Sequence, residues 1–332
     1  MASILVTGGA GYIGSHTVLA LLDAGHDVVV LDDLERGHRA AVRDLELLHG
    51  SLLDAEFVDR SLKGRGFEAV VHFAARAYVG ESVAEPEVYY ENNFGGTRTL
   101  VRAMLRHGIG RIVFSSTCAT YGEPESMPIV ETAEQKPINP YGRSKLMCEW
   151  LLRDCAAAHG LASVALRYFN AAGADPAGRV GEDHRPETHL IPLVLAAALG
   201  RRESIDVYGD DYPTPDGTCI RDYVHVTDLA DAHVLALRSL LDGRAGFSAF
   251  NLGNAKGTSV LEVVAAVERV AGRKVPARIV GRRPGDPPVL VGSPERIQSE
   301  LGWRPRFSDI ESIVLTAHDW HLAHPEGYGV DA

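Results

Sequence analysis

The segment Ser3-Ile4-Leu5-Val6-Thr7-Gly8-Gly9-Ala10-Gly11-Tyr12-Ile13-Gly14 limits what this chain can become more than any other. An apolar run feeds directly into Gly8, Gly11 and Gly14, set at three-residue intervals, and a helical pattern through Ala20, Leu21 and Leu22 follows. Asp27-Val28-Val29-Val30-Leu31-Asp32 then reads as a second strand. Strand, glycine turn, helix and strand make a βαβ unit. Its glycines let the backbone bend tightly and approach a pyrophosphate, whose charge sits on the helix N-terminus. An acidic residue, Asp32, closes the second strand and completes the context that a dinucleotide site requires.

Strand and helix patterns keep alternating. Glu68-Ala69-Val70-Val71-His72-Phe73 reads as a strand ending in the small residues Ala74 and Ala75, which let backbone lie close to a ligand. Pro86 to His107 predicts one long helix with Asn92 and Asn93 inside it, Arg111 to Thr117 a buried strand, Tyr141 to His159 a second long helix, and Ser163 to Phe169 another strand. This is the signature of a Rossmann-type α/β fold, a doubly wound parallel sheet. Ligands bind beyond the carboxyl ends of such strands, where Phe73, Thr117 and Asn170 all fall.

After residue 170 glycine and proline become frequent. Asp210 to Gly217 reads as a loop, and Leu190 to Leu199 as a buried helix too short to span a bilayer. Asp222 to Val226 and Phe250-Asn251-Leu252 are expected to return to the main sheet, and Thr227 to cap the helix running through Ala236. The expected organisation is a dinucleotide-binding domain over 1–175, rejoined by segments near 222–252, and a smaller interleaved C-terminal α/β substrate lobe over 176–332. A net charge of -11 disfavours non-specific nucleic-acid binding. Cys118, Cys148, Cys155 and Cys219 show no metal-ligand spacing, so we expect reduced thiols, no metal and a cytoplasmic protein. With a strand expected from residue 3 and no basic segment before an apolar run, neither a leader nor a membrane partner is expected.

Tyr141 and Lys145 are four apart and share a helix face. A phenol ordinarily titrates near ~10, and a neighbouring ammonium favours its ionised form, which predicts a general base working near neutrality. Thr117, at the end of the Ser115-Ser116-Thr117 strand, is placed to hydrogen-bond the reacting hydroxyl.

The segments Thr7 to His16, Val79-Gly80-Glu81-Ser82, Phe114 to Thr117, Pro140 to Lys145, Leu166 to Asn170, Asp216-Gly217-Thr218 with Arg221-Asp222-Tyr223, and Arg283 to Asp286 together resemble the extended short-chain dehydrogenase/reductase superfamily and, within it, the UDP-glucose 4-epimerase family. The likeness runs to His324-Pro325 and Gly327-Tyr328, nearly the whole chain. It implies inversion at C4 of a UDP-hexose through a 4-keto sugar, with NAD as a retained cofactor and Tyr141 as the base. By position, Gly8, Gly11, Tyr12, Ile13 and Gly14 would lie along the NAD pyrophosphate. Asp32 and Asp33 would hold the adenosine ribose, and Ser51 and Leu52 the adenine. Phe73, Ala74, Ala75, Asn92, Ser115, Lys145, Tyr168 and Phe169 would line the rest of the cofactor. Thr117, Asn170, His189, Leu190, Arg221 and Arg283 would meet the substrate, with Val207 and Tyr208 bordering uracil and Asp286 at the uridine ribose. The long helices would pair with their copies in a homodimer.

Three departures stand out. Ser51 replaces a usual aspartate. Arg76-Ala77-Tyr78 replaces a segment that in some members carries a lysine near the cofactor phosphates. His189 replaces a common asparagine. Sugar-nucleotide dehydratases and decarboxylases need acidic groups after the strand-end hydroxyl, and here Thr117 is followed by Cys118-Ala119-Thr120. A net dehydrogenase, or a regulator that binds NAD(P) without chemistry, would share the glycine turn. Such regulators usually lose the tyrosine or the lysine, and Tyr141 and Lys145 are both present. Leu290 lies where family members control room around C2, so a 4-epimerase acting on UDP-GlcNAc, UDP-glucuronate or a UDP-pentose stays open.

Overall fold

The computed structural model describes residues 1–42, 44–283 and 286–329. The Pro284-Gly285 part of the Arg283 to Asp286 motif therefore lies outside the described residues. In chain order the strands are β1 (Ser3–Thr7), β2 (Asp27–Asp32), β3 (Leu47–His49), β4 (Ala69–His72), β5 (Arg111–Thr117), β6 (Ala162–Tyr168), β7 (Asn170–Ala172), β8 (Ile205–Tyr208), β9 (Ile220–Arg221), β10 (Tyr223–His225), β11 (Phe247–Leu252), β12 (Thr258–Ser259), β13 (Ala277–Val280) and β14 (Val289–Leu290). The helices are α1 (Tyr12–Asp23), α2 (Ala55–Leu62), α3 (Val79–Ala84), α4 (Pro86–Tyr89), α5 (Gly96–Arg106), α6 (Pro140–His159), α7 (Leu190–Ala198), α8 (Val226–Leu241), α9 (Val260–Ala271), α10 (Glu295–Leu301) and α11 (Ile310–Ala323).

Seven strands form one parallel sheet in the order β11-β6-β5-β4-β1-β2-β3. Successive side chains of a strand point to opposite faces, and both faces of this sheet are covered. Ile4, Val6, Val28, Val30, Ala69 and Val71 join a core with Val18 and Leu21 of α1 and Leu229 to Leu240 of α8. Their neighbours Leu5, Val29, Leu31 and Val70 join the opposite core, with Val58 of α2, Leu100 of α5 and Leu152 of α6. Burying one such aliphatic side chain is worth roughly 1.5–3 kcal/mol, which explains why the strands read as unbroken apolar runs. The strand order reverses between β1 and β4, and the crevice that this opens lies beyond Thr7 and His72.

A second core is built by α7, α9, α11, β8 and β10, through Ile191, Leu195, Val207, Tyr223, Val263, Val267, Ile313 and Ala317. The C-terminal half also returns to the first core, with β11 on the sheet edge and Ile297 and Trp303 packed beside α8.

Three expectations are corrected. The segment from Asp222 forms β10, but it pairs with β7 in a separate two-stranded sheet rather than with the main one. Beyond Tyr168 the chain steps out of the large sheet at Phe169, so its continuation, β7, takes β10 as a local partner. The cap of α8 is His225, whose Nδ1 accepts the backbone N–H of Thr227 at 3.1 Å, so Thr227 sits inside the helix. The expected helix from Pro86 to His107 is present but broken in character, with a wider π turn over Tyr90–Gly95 between α4 and α5. That turn carries Asn92 and Asn93.

Candidate active site

The glycine turn closes on the neighbouring strand end. Gly8 has φ +72, and a Cβ placed on it would stand 2.4 Å from the backbone nitrogen of Ala74. A Cβ on Gly14 would stand 2.1 Å from the Gly8 carbonyl oxygen. Backbone there packs on backbone, and α1 starts directly beyond it, so its free N–H groups face the crevice. Asp32 lies at the same edge, where its carboxylate accepts the N–H groups of Ala10 and Leu34, each at 2.9 Å. A cradle that a methyl group would fill, a helix N-terminus and an oriented carboxylate together fit a nicotinamide dinucleotide.

The Tyr12 hydroxyl donates to the Gly173 carbonyl at 2.6 Å, tying the turn to the chain beyond β7, and Ile13 packs against the first core. The Asp33 carboxylate accepts the N–H of Glu35 at 3.1 Å, and the Ser51 hydroxyl that of Leu53 at 3.3 Å, while Leu52 is buried. Arg76, considered as a substitute for the lysine of some members, pairs with Glu35 and lies 3.6 Å from Glu81.

Across the crevice, α6 is pressed onto the end of β5. Asn139 caps it by accepting the N–H of Gly142 at 2.8 Å, and Pro140 occupies the first turn. A Cβ on Gly142 would meet the Ala119 carbonyl oxygen at 2.4 Å. This close approach sets Tyr141 against the end of β5, near enough to Thr117 for that hydroxyl to favour the ionised phenol. One turn further on, Lys145 is only 3% exposed, donates from Nζ to the Ser115 carbonyl at 2.8 Å and lies 4.9 Å from the Phe114 ring centre. The Ser115 hydroxyl bonds to that of Tyr168.

The electrostatics differ from expectation. Burial pushes the Tyr141 phenol upward, Tyr168 adds to this, and only the Thr117 hydroxyl opposes it. Burial also pushes Lys145 down, to about 8. Sequence spacing brings phenol and amine to one face, but desolvation dominates both titrations, and the amine is directed at the Ser115 carbonyl.

Beneath the site, Glu149 and Arg167 form a buried pair at 2.6 Å, and Glu149 also accepts the Ser116 hydroxyl at 2.5 Å. Asn93, rather than its neighbour Asn92, is wholly buried. Its amide reaches the Arg76 carbonyl and the Ser144 hydroxyl, each at 3.0 Å, pinning the π turn to α6 and to the loop after β4.

The expected substrate residues gather on the facing lobe. Arg221 pairs with Asp286 at 2.5 Å, and Arg283 stacks over Tyr208 with its guanidinium carbon 3.9 Å from the ring centre. Arg283, Asp286 and Tyr212 line a cavity of about 480 Å³. The Asn170 amide donates to the Asp222 carbonyl at 3.0 Å. Leu290 packs with Cys118, Tyr121 and Phe169, beside the end of β5. Two expected contact residues are occupied otherwise: Val207 is buried in the second core, and the Phe169 ring packs over Gly292 and beside Ile129.

His189 stands at the start of α7 with Leu190, its Nδ1 2.8 Å from a Glu187 oxygen and 3.1 Å from one of Glu182. The expectation of no metal rests on the cysteines alone; Glu182, His184, Glu187 and His189 bring together ligand atoms that all lie within 4.8 Å of one another.

A doubly wound sheet with a glycine cradle, joined to a threonine–tyrosine–lysine group, defines a dinucleotide-dependent protein of the extended short-chain dehydrogenase/reductase type. Residues 4–253 match the NAD dependent epimerase/dehydratase family, and the chain belongs to it. A UDP-glucose 4-epimerase of Halalkalibacterium halodurans is 53% identical over 330 residues, covering 99% of this chain and 98% of its own. A UDP-glucose 4-epimerase of Brucella ovis, solved in complex with NAD, has a TM-score of 0.93 at 50% identity, covering 96% of this chain and 98% of its own. One from Bifidobacterium longum, solved with NAD+ and UDP, has a TM-score of 0.92 at 38% identity, covering 98% and 99%.

Proposed function

We propose that this protein interconverts UDP-glucose and UDP-galactose by inverting C4 through a 4-keto sugar, with NAD as its cofactor. The carrying observation is the close packing of the start of α6 on the end of β5, which sets Tyr141 beside Thr117 with Lys145 one turn away, in the crevice that the glycine cradle opens. When bound, NAD supplies reversible hydride transfer. The chain's own groups hold the nucleotide sugar, move a proton and retain the ketone while it turns.

In this reading Thr117 orients the 4-hydroxyl and Tyr141 removes its proton, then returns it after the ketone has turned. A phenol raised by burial is a poor base alone. A bound cationic cofactor, together with the Lys145 ammonium, would favour the ionised phenol. Gly8, Gly11, Tyr12, Ile13, Gly14, Asp32 and Asp33 would hold the cofactor, with Ser51 and Leu52 at the adenine and Phe73, Ala74, Ala75, Asn92, Ser115 and Tyr168 along the rest. Arg221 and Arg283 suit a diphosphate because a guanidinium offers paired donors. The lobe over 176–332 would carry the nucleotide, with Asp286 free to leave Arg221 for a ribose hydroxyl.

No helix among the described residues is long and apolar enough to cross a membrane. The four cysteines are unpaired, which supports a reducing, cytoplasmic setting. A homodimer through α4, α5 and α6 is supported by the exposed Trp150 of α6, and sedimentation tests it.

Incubation of purified protein with UDP-glucose should yield UDP-galactose with no build-up of free NADH. NADH rising in proportion to substrate would instead mark a dehydrogenase. Running UDP-N-acetylglucosamine, UDP-glucuronate and UDP-xylose in parallel ranks the sugars.

A further inference from the structure

We infer that the segment leading into α7 is a binding site for one divalent transition-metal ion of the zinc kind, held by Glu182, His184, Glu187 and His189. The four side chains come from eight consecutive residues, yet they converge on a point rather than fanning outward. Glu182 Oε1 stands 3.1 Å from Nδ1 of His184 and 3.1 Å from Nδ1 of His189. The Glu187 carboxylate faces the same two nitrogens, at 3.6 Å from His184 and 2.8 Å from His189. Ligands about 2.0–2.2 Å from a tetrahedral ion lie roughly 3.2–3.6 Å from one another. The histidine–carboxylate separations straddle that range, and all the ligand atoms lie within 4.8 Å of one another, so the group has only to draw in around an ion.

The donor chemistry agrees. Two imidazoles and two carboxylates are ligands that zinc and its neighbours in the series accept, and calcium or magnesium would call for an all-oxygen set. Glu182 is almost completely enclosed, with a side-chain exposure of 4%. Two carboxylates in so small a space need positive charge beside them, which either the two imidazoles in protonated form or one divalent ion held by neutral imidazoles supplies. Four protein ligands leave no open position, which marks a structural site rather than a catalytic one.

The surroundings say what such an ion would do. The His184 ring meets the Tyr12 ring edge-on at 5.9 Å and packs against that of His189 at 4.8 Å. The same segment is held by Arg36, which donates to the Arg185 carbonyl at 2.9 Å, and by the Tyr78 hydroxyl, which donates to that of Pro186 at 3.1 Å. These contacts come from the glycine turn and from the loops after β2 and β4, all on the dinucleotide side. An ion in the middle fixes the strap that joins the two lobes over the crevice. With Nδ1 on the metal, His189 keeps its Nε2–H as a donor.

The test uses the full chain, stripped by chelator and titrated with Zn²⁺ alone. Wild-type protein should take up about one zinc per chain. His184→Ala and the volume-conserving Glu187→Gln should each weaken uptake by on the order of 100-fold, with unchanged circular dichroism. Co²⁺ in the wild type should give the intense visible bands of a tetrahedral site, which serves even where a variant fails to fold. Absence of stoichiometric uptake by the wild type overturns the proposal, as do variants that bind like it or a pale octahedral cobalt spectrum.

Discussion

Gly14→Ala puts the glycine turn to a quantitative test. The added methyl would stand 2.1 Å from the Gly8 carbonyl oxygen and 2.9 Å from the Gly9 Cα, and both obstacles are backbone. Restoring ordinary contact requires the start of α1 to move roughly 1 Å away from β1, at a cost near or above the upper end of the ~1–3 kcal/mol range for overpacking. That movement carries the helix N-terminus away from the pyrophosphate it is to hold. About 3 kcal/mol corresponds to more than 100-fold in an equilibrium. Gly14→Ala should therefore unfold at lower urea than the wild type and emerge from purification largely without NAD, as measured by absorbance of the acid-released nucleotide. Gly110→Ala is the control: nothing lies within 4 Å of its added Cβ, and it should match wild type within ~0.5 kcal/mol. A Gly14→Ala protein with wild-type stability and full NAD content would refute the packing argument.

Lys145 and Glu149 give two further tests. Burial takes Lys145 from its ordinary 10.5 to about 8, a cost of about 3 kcal/mol to the cofactor-free fold that is complete below about pH 8 and fades as pH rises toward 10.5. Lys145→Met removes that cost and also leaves the Ser115 carbonyl without its donor. In urea titrations of NAD-free protein, the stability of Lys145→Met relative to wild type should thus be highest at pH 7 and fall by pH 10. A difference independent of pH contradicts this. Glu149→Gln strips one charge from a buried pair and weakens the hold on Ser116, so a loss of about 3–5 kcal/mol is expected by the same titration. A loss under ~1 kcal/mol would mean that Arg167 finds another partner.

The parts legible in the sequence were those whose physics is local. Arg111 to Thr117 reads as a strand because every residue after the first is buried, and its bounds match β5. Tyr141 and Lys145 are one helical turn apart, so spacing alone brings them to one face. That Asn93 rather than Asn92 is the buried one could not be read, because a π turn changes the facing of side chains without changing composition. The pairing of β10 with β7 could not be read, since a three-residue apolar run carries no mark of its neighbour. The Arg221–Asp286 pair joins residues far apart in the chain, and only the fold brings them together. Glu182, His184, Glu187 and His189 sit in a stretch with no regular period, although the alternation of histidine and glutamate over eight residues was a visible signal.

The account rests on the Tyr141 phenol as the proton-transfer group, and Tyr141→Phe tests it most directly. The substitution removes one oxygen from a partly buried ring and leaves the glycine cradle and Asp32 untouched. The rate of UDP-galactose formation from UDP-glucose should fall by roughly 10²–10⁴-fold, with NAD content and urea stability near those of the wild type. Turnover within a few-fold of wild type, in a variant shown to be folded and loaded with NAD, would contradict the account.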